Sequence, residues 1–413
     1  MQRARRLFAW FVVASAVTCA TAARADEPDV AAPTESEPAA PKESPRTSES
    51  NVTARASLEV AGYRDTLATA VLTPSVGGTV ESPTAGWGIT GRYLVDVVSA
   101  ASPDIVATAS PRWTEVRHAG NLGARYKPST FGVAVSGSTS YTPDYLALGL
   151  SGQVIQELDD KNLLLVGGYG YGHDTIGRTG TPFSTFSRAL EYHSITAGFS
   201  RVVNASLVLG ITGDVVIERG DQSKPYRYIP IFAPDQAPLV TRGASVDDVT
   251  RLRIQARPLE QLPLGRERYA ITGRLGWRGD GVTLRVEERL YHDTWNLHAS
   301  TTDVRYFVDV TDRVTIWPHG RFHVQNGVDF WKRAYAAPDV NHLPAFRTGD
   351  RELGPLATFG LGGGLRLALG KSGAVDDWLL VTTIDGNVTS FSDTLYVTTR
   401  FSGLAATSLE VKF

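Results

Sequence analysis

The chain has 413 residues and a formal net charge of −2, with 41 Lys and Arg set against 43 Asp and Glu. A balance so even, with no basic cluster, gives no reason to expect nucleic acid or another polyanion as partner. Its one cysteine, Cys19, excludes a disulfide framework and a thiolate metal site in the body of the chain.

The opening stretch MQRARRLFAWFVVASAVTCATAARADEP has a basic start (Arg3, Arg5, Arg6), an apolar run from Leu7 and the small-residue triplet Ala23, Arg24, Ala25 before Asp26. This is the layout of a cleaved secretory signal over residues 1–25, since a membrane span needs about 20 apolar residues. A lipid anchor at Cys19 is the rival, but apolar residues continue past it and Thr18 is not the usual small neighbour. Residues 26–52, DEPDVAAPTESEPAAPKESPRTSESNV, are rich in Pro, Glu, Ser and Ala and lack large apolar groups. Such a stretch does not bury enough surface to offset chain entropy, so a disordered linker is expected.

From residue 53 to 413 the pattern changes to alternating stretches about 10 residues long, the repeated signal of membrane-spanning strands. In GWGITGRYLVDVV, Trp87, Ile89, Tyr93, Val95 and Val97 share one face and Thr90, Arg92 and Asp96 the other. SLVLGITGDVVIE, RYAITGRLGWR and FGLGGGLRLALG repeat the plan. Strands are expected near 54–64, 68–81, 86–98, 115–126, 130–140, 144–157, 162–172, 189–202, 205–219, 266–279, 281–291, 296–310, 313–330, 355–369, 377–389 and 394–413. That gives an all-β chain, a transmembrane antiparallel up-and-down β-barrel of about sixteen strands. Short connections (SPTAG, YKPST, DDK, VN, GD, TDR) fall at one end, the periplasmic turns. The long ones, near 99–114, 173–188, 220–265 and 331–354, fall at the other as extracellular loops. A water-soluble sandwich would also alternate. Its strands run shorter, and glycine inside strands suits a closed, tilted sheet better. Aromatics at Trp87, Tyr126, Tyr141, Tyr171, Tyr269, Trp277 and Trp378 stand where interfacial girdles form.

The last residues, TSLEVKF, put Leu409, Val411 and Phe413 on one face. The final strand is expected to close on the first, since an open edge is not tolerated in lipid. The terminal Phe resembles the C-terminal assembly signal of bacterial outer-membrane proteins, which implies the barrel-assembly machinery as a partner during biogenesis.

The segment DVVSAASPDIV (96–106) resembles a motif from an uncharacterised family of bacterial outer-membrane barrels, a domain of unknown function. RWTEVRH, PDYLALG, GDQSKPYRYIPIF, EQLPLGRERYA, RLYHDTW, RFHVQNGVDFWKRAY and RTGDREL go with it. The resemblance implies a barrel in contact with outer-membrane lipid, exported by a Gram-negative bacterium, and transfers no catalytic residues.

The polar strand faces carry Arg92, Arg117, Arg125, Arg274, Arg285, Arg289, Arg305, Arg321, Arg366 and Arg400 against Asp96, Asp214, Glu218, Glu287, Asp303 and Asp309. Facing a lumen, they form either a weakly anion-favouring channel or a mutual Arg–carboxylate network that stiffens the interior. The 220–265 loop, with Tyr226, Arg227, Tyr228 and Phe232, is expected to fold over or into the barrel mouth, as is the segment bearing Arg347, Asp350 and Arg351. Both act as a constriction or ligand-contacting lid, or as a packed surface cap. His319 and His323 lie i and i+4 on one strand, about 13 Å apart, too far to share an ion. His173, Asp174, Ser184 and Ser187 supply hydrolase residue types, but no family motif surrounds them. The expectation is a barrel without metal, cofactor or catalysis that passes or binds small polar, possibly anionic, solutes. The alternative is a non-conducting barrel with a structural or surface-interaction role.

Overall fold

The structure, a computed structural model, describes residues 52–100, 113–373 and 375–413. The signal and linker segments lie outside the described residues apart from Val52, as does the later part of the 96–106 motif. Eighteen strands follow in the described chain. They are β1 (Thr53–Asp65), β2 (Ala70–Ser82), β3 (Trp87–Ala100), β4 (Trp113–Tyr126), β5 (Phe131–Thr142), β6 (Tyr145–Leu158), β7 (Leu163–Ile176), β8 (Arg188–Val202) and β9 (Leu207–Gly220), then the short β10 (Ile231–Phe232). After a helix, α1 (Val246–Leu252), come β11 (Gly265–Arg278), β12 (Val282–Asp293), β13 (His298–Thr311), β14 (Val314–Gln325), the short β15 (Tyr335–Ala336), β16 (Leu356–Ala368), β17 (Asp377–Phe391) and β18 (Thr399–Lys412).

All but β10 and β15 join one closed barrel, sixteen strands among the described residues, each antiparallel to its sequence neighbour. The seam is β1 against β18, with Arg55 opposite Lys412 and Asp65 opposite Ser402. Phe413 continues it, its N–H donating to the Ala54 carbonyl at 2.8 Å. Closure leaves no edge of unpaired amides, the condition for a sheet to stand in hydrocarbon. Each expected strand is present. Two overran: the thirteenth barrel strand stops at Gln325, where Asn326 turns to bond the Asn296 carbonyl through its side chain. The last begins at Thr399, because Thr394 hydrogen-bonds the Val397 carbonyl and Tyr396 takes φ +60°.

The period-2 pattern sets which side chains face out of the barrel. Leu58, Val60, Val76, Ile89, Leu122, Val135, Leu150, Ile195, Ile211, Ile271, Leu361 and Ile384 are exposed on the outer face. Tyr126, Tyr141, Tyr171, Tyr269 and Trp277 are exposed near the strand ends, as an interfacial girdle requires. An outward carboxylate at mid-strand departs from the apolar pattern. Glu288 stands between outward Val286 and Leu290 near the middle of β12, and its carboxylate accepts from Ser300 at 2.6 Å and Thr302 at 2.5 Å.

Apolar cores in this inside-out protein gather mainly under the loops. Leu262, Trp295, Leu297, Val328 and Leu353 form one cluster. Ile229, Ile231, Tyr335 and Ala337 form a second, and Phe232, Val240, Ala244 and Val249 a third. These clusters draw residues 221–264 and 326–355 into one folded body at the loop end.

Candidate functional site: the lumen wall and the lid

On the inner face, charges meet across neighbouring strands. Arg92 reaches Glu59 at 2.8 Å and Ser75 at 3.1 Å, while Arg117 meets Asp96 at 2.5 Å. Arg125 pairs with Glu81. Arg274 bonds Glu287 at 2.6 Å and Thr212 at 3.0 Å, and Arg289 meets Asp214 at 3.2 Å. Arg268 meets Glu218 at 3.0 Å, and Arg278 meets Asp309 at 2.8 Å. Two carboxylates missing from the sequence-based set, Glu59 and Glu81, answer Arg92 and Arg125. The signal was present, since both alternate with apolar residues on β1 and β2.

Arg285 stands opposite Arg305 and lies 4.9 Å from the centre of the Phe307 ring. Arg305 in turn contacts Asp303 at 3.2 Å. Arg321 is in register with Asp303 and Gly360, and Arg366 with Thr315 and Val381. Arg400 is at the start of β18, so it belongs to the mouth, where it meets Glu352 at 2.9 Å.

His319 forms the centre of a second missed constellation. Its Nε2 is 2.7 Å from Asp303, and its Nδ1 is 2.7 Å from Asp385, two strands away. The reach is possible because Gly362 of β16 stands in register between them. Gly360, Gly362 and Gly364 form a bare inner track, over which Asn387, Asp385 and Trp317 lie. His323 instead meets Thr301 at 2.7 Å and Gln325 at 3.2 Å. The two histidines therefore share no partner in these contacts.

The strand β7 runs on to Ile176, so His173 and Asp174 are not loop residues as expected. They sit on opposite faces of β7: Asp174 is buried and accepts from Tyr145, whereas His173 approaches Glu191 at 3.5 Å. They do not converge on the loop that carries Ser184 and Ser187.

The lid is built from both long loops. β10 and β15 pair in parallel, and the isolated bridges Tyr228–Leu259 and Gln261–Arg347 continue the stitching. Tyr226 donates to Asp144 of the β5–β6 turn at 2.8 Å, and burial pushes its phenol above the usual range. On the other side, Gly243 donates to the Thr394 carbonyl at 2.9 Å, and Tyr396 to that of Ala244 at 3.1 Å. The 221–264 loop thus ties the β5–β6 turn to the β17–β18 loop, rim points well separated around the barrel.

Arg227 joins the loops through Glu260 at 3.3 Å and Asp350 at 3.2 Å. Asp350 also caps a short turn by accepting from the Glu352 N–H at 3.0 Å. Tyr228 carries Arg257 over its ring at 5.1 Å, and Arg351 lies 5.6 Å from the Phe391 ring. The helix α1 was not anticipated. The signal was Ser245 with Asp248, a capping box whose hydroxyl and N–H hold the Asp248 carboxyl below the usual range. Leu409 and Val411 pair with Leu58 and Ala56 in the seam.

Residues 189–377 match a family model described as "Protein of unknown function (DUF3570)". The match meets the resemblance drawn from sequence; the 96–106 motif lies outside the matched span. No curated protein matches the chain. Among solved structures, the siderophore receptor PirA from Acinetobacter baumannii is similar at 9% identity, TM-score 0.37, over 84% of this chain and 54% of that one. CdiB from Acinetobacter baumannii is similar at 8% identity, TM-score 0.42, over 88% and 60%. The outer membrane protein OprD from Pseudomonas aeruginosa is similar at 7% identity, TM-score 0.40, over 88% and 94%. The chain spans little more than half the length of the first two. At these identities the likeness extends no further than barrel architecture.

Proposed function

We propose that this barrel is an outer-membrane channel for small polar solutes, with the folded lid governing entry. One observation supports the reading above others: side chains at mid-height on the inner wall keep contact with solvent space, Glu287 retaining 42% and Arg289 41% of their surface. A sixteen-stranded barrel is wide enough to leave an aqueous path. In this reading the turn end is periplasmic and the loop end faces outward. The chain reaches the membrane through a cleaved signal, and the assembly machinery reads Leu409, Val411 and Phe413. Outer-membrane lipid surrounds the apolar face, and no step of catalysis is involved.

The density of ion pairs along the same wall favours a second reading, a rigid barrel that conducts nothing and presents its lid as a surface. Single-channel recording in planar bilayers separates the two. Open steps are expected from the purified full chain; a folded but silent barrel supports the second reading. Arg92→Ala frees Glu59, and Arg321→Ala removes a cation facing Asp303. Each is expected to move the reversal potential in a salt gradient toward cation preference, because charge rings set pore selectivity.

A further inference from the structure

A cavity of about 670 Å³ opens at the mouth beside the lid, lined among others by Arg188, Asp221, Glu260, Leu264, Phe346 and Arg347. Its size is that of a small-molecule site. Both of its carboxylates are committed. Asp221 meets Arg188 at 2.5 Å. Glu260 accepts from the Thr348 hydroxyl at 2.6 Å and the Lys224 N–H at 3.0 Å, and faces Arg227 at 3.3 Å.

Arg347 is different. It is 8% exposed, and its Nε and Nη1 donate to the carbonyls of Leu259 and Pro344, each at 2.9 Å. Those acceptors are neutral, and among the described residues no carboxylate forms an ion pair with it. The neighbouring Tyr335 supplies no counter-charge. Its hydroxyl accepts from the Thr348 N–H and donates to the Phe330 carbonyl, both at 2.9 Å, and burial pushes the phenol up to about 12. Burial alone lowers the Arg347 guanidinium from its ordinary value. A cation taken out of water with neutral acceptors but no counter-charge is costly, and an anion brought beside it would supply the pairing that two carbonyls do not. Leu264 and Phe346, both exposed on the cavity wall, add apolar surface beside that charge.

We infer that this cavity is a binding subsite for a small oxyanion, a carboxylate on an apolar body fitting best, with Arg347 as its anchor. The inference deepens the channel reading by naming the solute class that pauses at the entrance, but binding does not require conduction.

The test uses the full chain in detergent, titrated by calorimetry with benzoate, inorganic phosphate and neutral benzamide. Benzoate is expected to bind and benzamide to bind at least tenfold more weakly. Binding of phosphate alone would keep the anchor and remove the apolar preference. Arg347→Gln is expected to weaken anion binding at least tenfold. Should that variant fail to fold, Leu264→Glu, an exposed change on the cavity wall, is expected to weaken it comparably. Overturning results are no anion binding to the unmodified barrel, or unchanged binding in a folded variant of either kind. A barrel that binds benzoate through Arg347 yet never opens in bilayers keeps the site and retires the channel; open channels with no anion binding do the reverse.

Discussion

Asp293→Ala is expected to lower the stability of the folded barrel by about 3–5 kcal/mol, the usual consequence of removing one partner from a buried ion pair. Arg266 and Asp293 are 5% and 0% exposed at the loop end of β11 and β12. The Asp293 Oδ2 accepts from Arg266 at 2.8 and 2.5 Å and from the Tyr291 hydroxyl at 2.8 Å. Its Oδ1 accepts from the N–H groups of Trp295 at 2.9 Å and Leu297 at 3.1 Å, so it also shapes the β12–β13 turn. Trp295 lies under the Arg266 guanidinium, 4.2 Å from its ring centre. Alanine would remove the partner that takes two of that buried cation's N–H groups and leave it only Glu218 across the ladder, a carboxylate already engaged by Arg268. Asp293→Asn keeps an acceptor for the turn and should lose less. The heat-modifiability of the barrel on a detergent gel reads both; an unchanged transition for Asp293→Ala would refute the assignment.

Gly362→Val should be the most damaging change on the inner wall. A Cβ at this position overlaps the Asp385 carboxylate and the Ile384 carbonyl oxygen, so backbone as well as side chain must move. Overpacking of this kind costs roughly 1–3 kcal/mol or more, and here it also breaks the His319–Asp385 contact. Gly276, also on a barrel strand, has nothing within 4 Å of an added Cβ. Gly276→Ala is therefore the control, with an expected loss of far less. Equal thermal transitions for the two variants would show that the bare track is not required.

The strands were legible because a closed barrel with one apolar face imposes a strict alternation: Leu207, Leu209 and Ile211 read as one face whatever they pair with. The lid was legible only as length and aromatic content. That Arg227 meets Asp350, or that Arg347 reaches Leu259, depends on two loops distant in sequence folding together, and no local pattern encodes such a meeting. The Asp303–His319–Asp385 contact was hidden for a related reason. It spans four strands, β13 to β17 without β15, with a glycine on the one between His319 and Asp385, whereas a single strand shows only that His319 points inward. The short helix is a different case, since Ser245 and Asp248 announce its start but its 7 residues are too few to show a helical period.

The seam at β1 and β18 has a consequence for engineering. Once the ring is sealed, the architecture holds no record of which strand came first; only the covalent order does. Because Thr53 and Lys412 are near neighbours at the same rim, a few added residues would bridge them, and a new cut between Pro143 and Asp144 would give a circular permutant with the same ladder of neighbours. Such a permutant is expected to keep its finished shape while changing which hairpins are made of sequence-adjacent strands, so a difference in its refolding from denaturant into detergent, where no terminal signal is read, reports on route rather than on product.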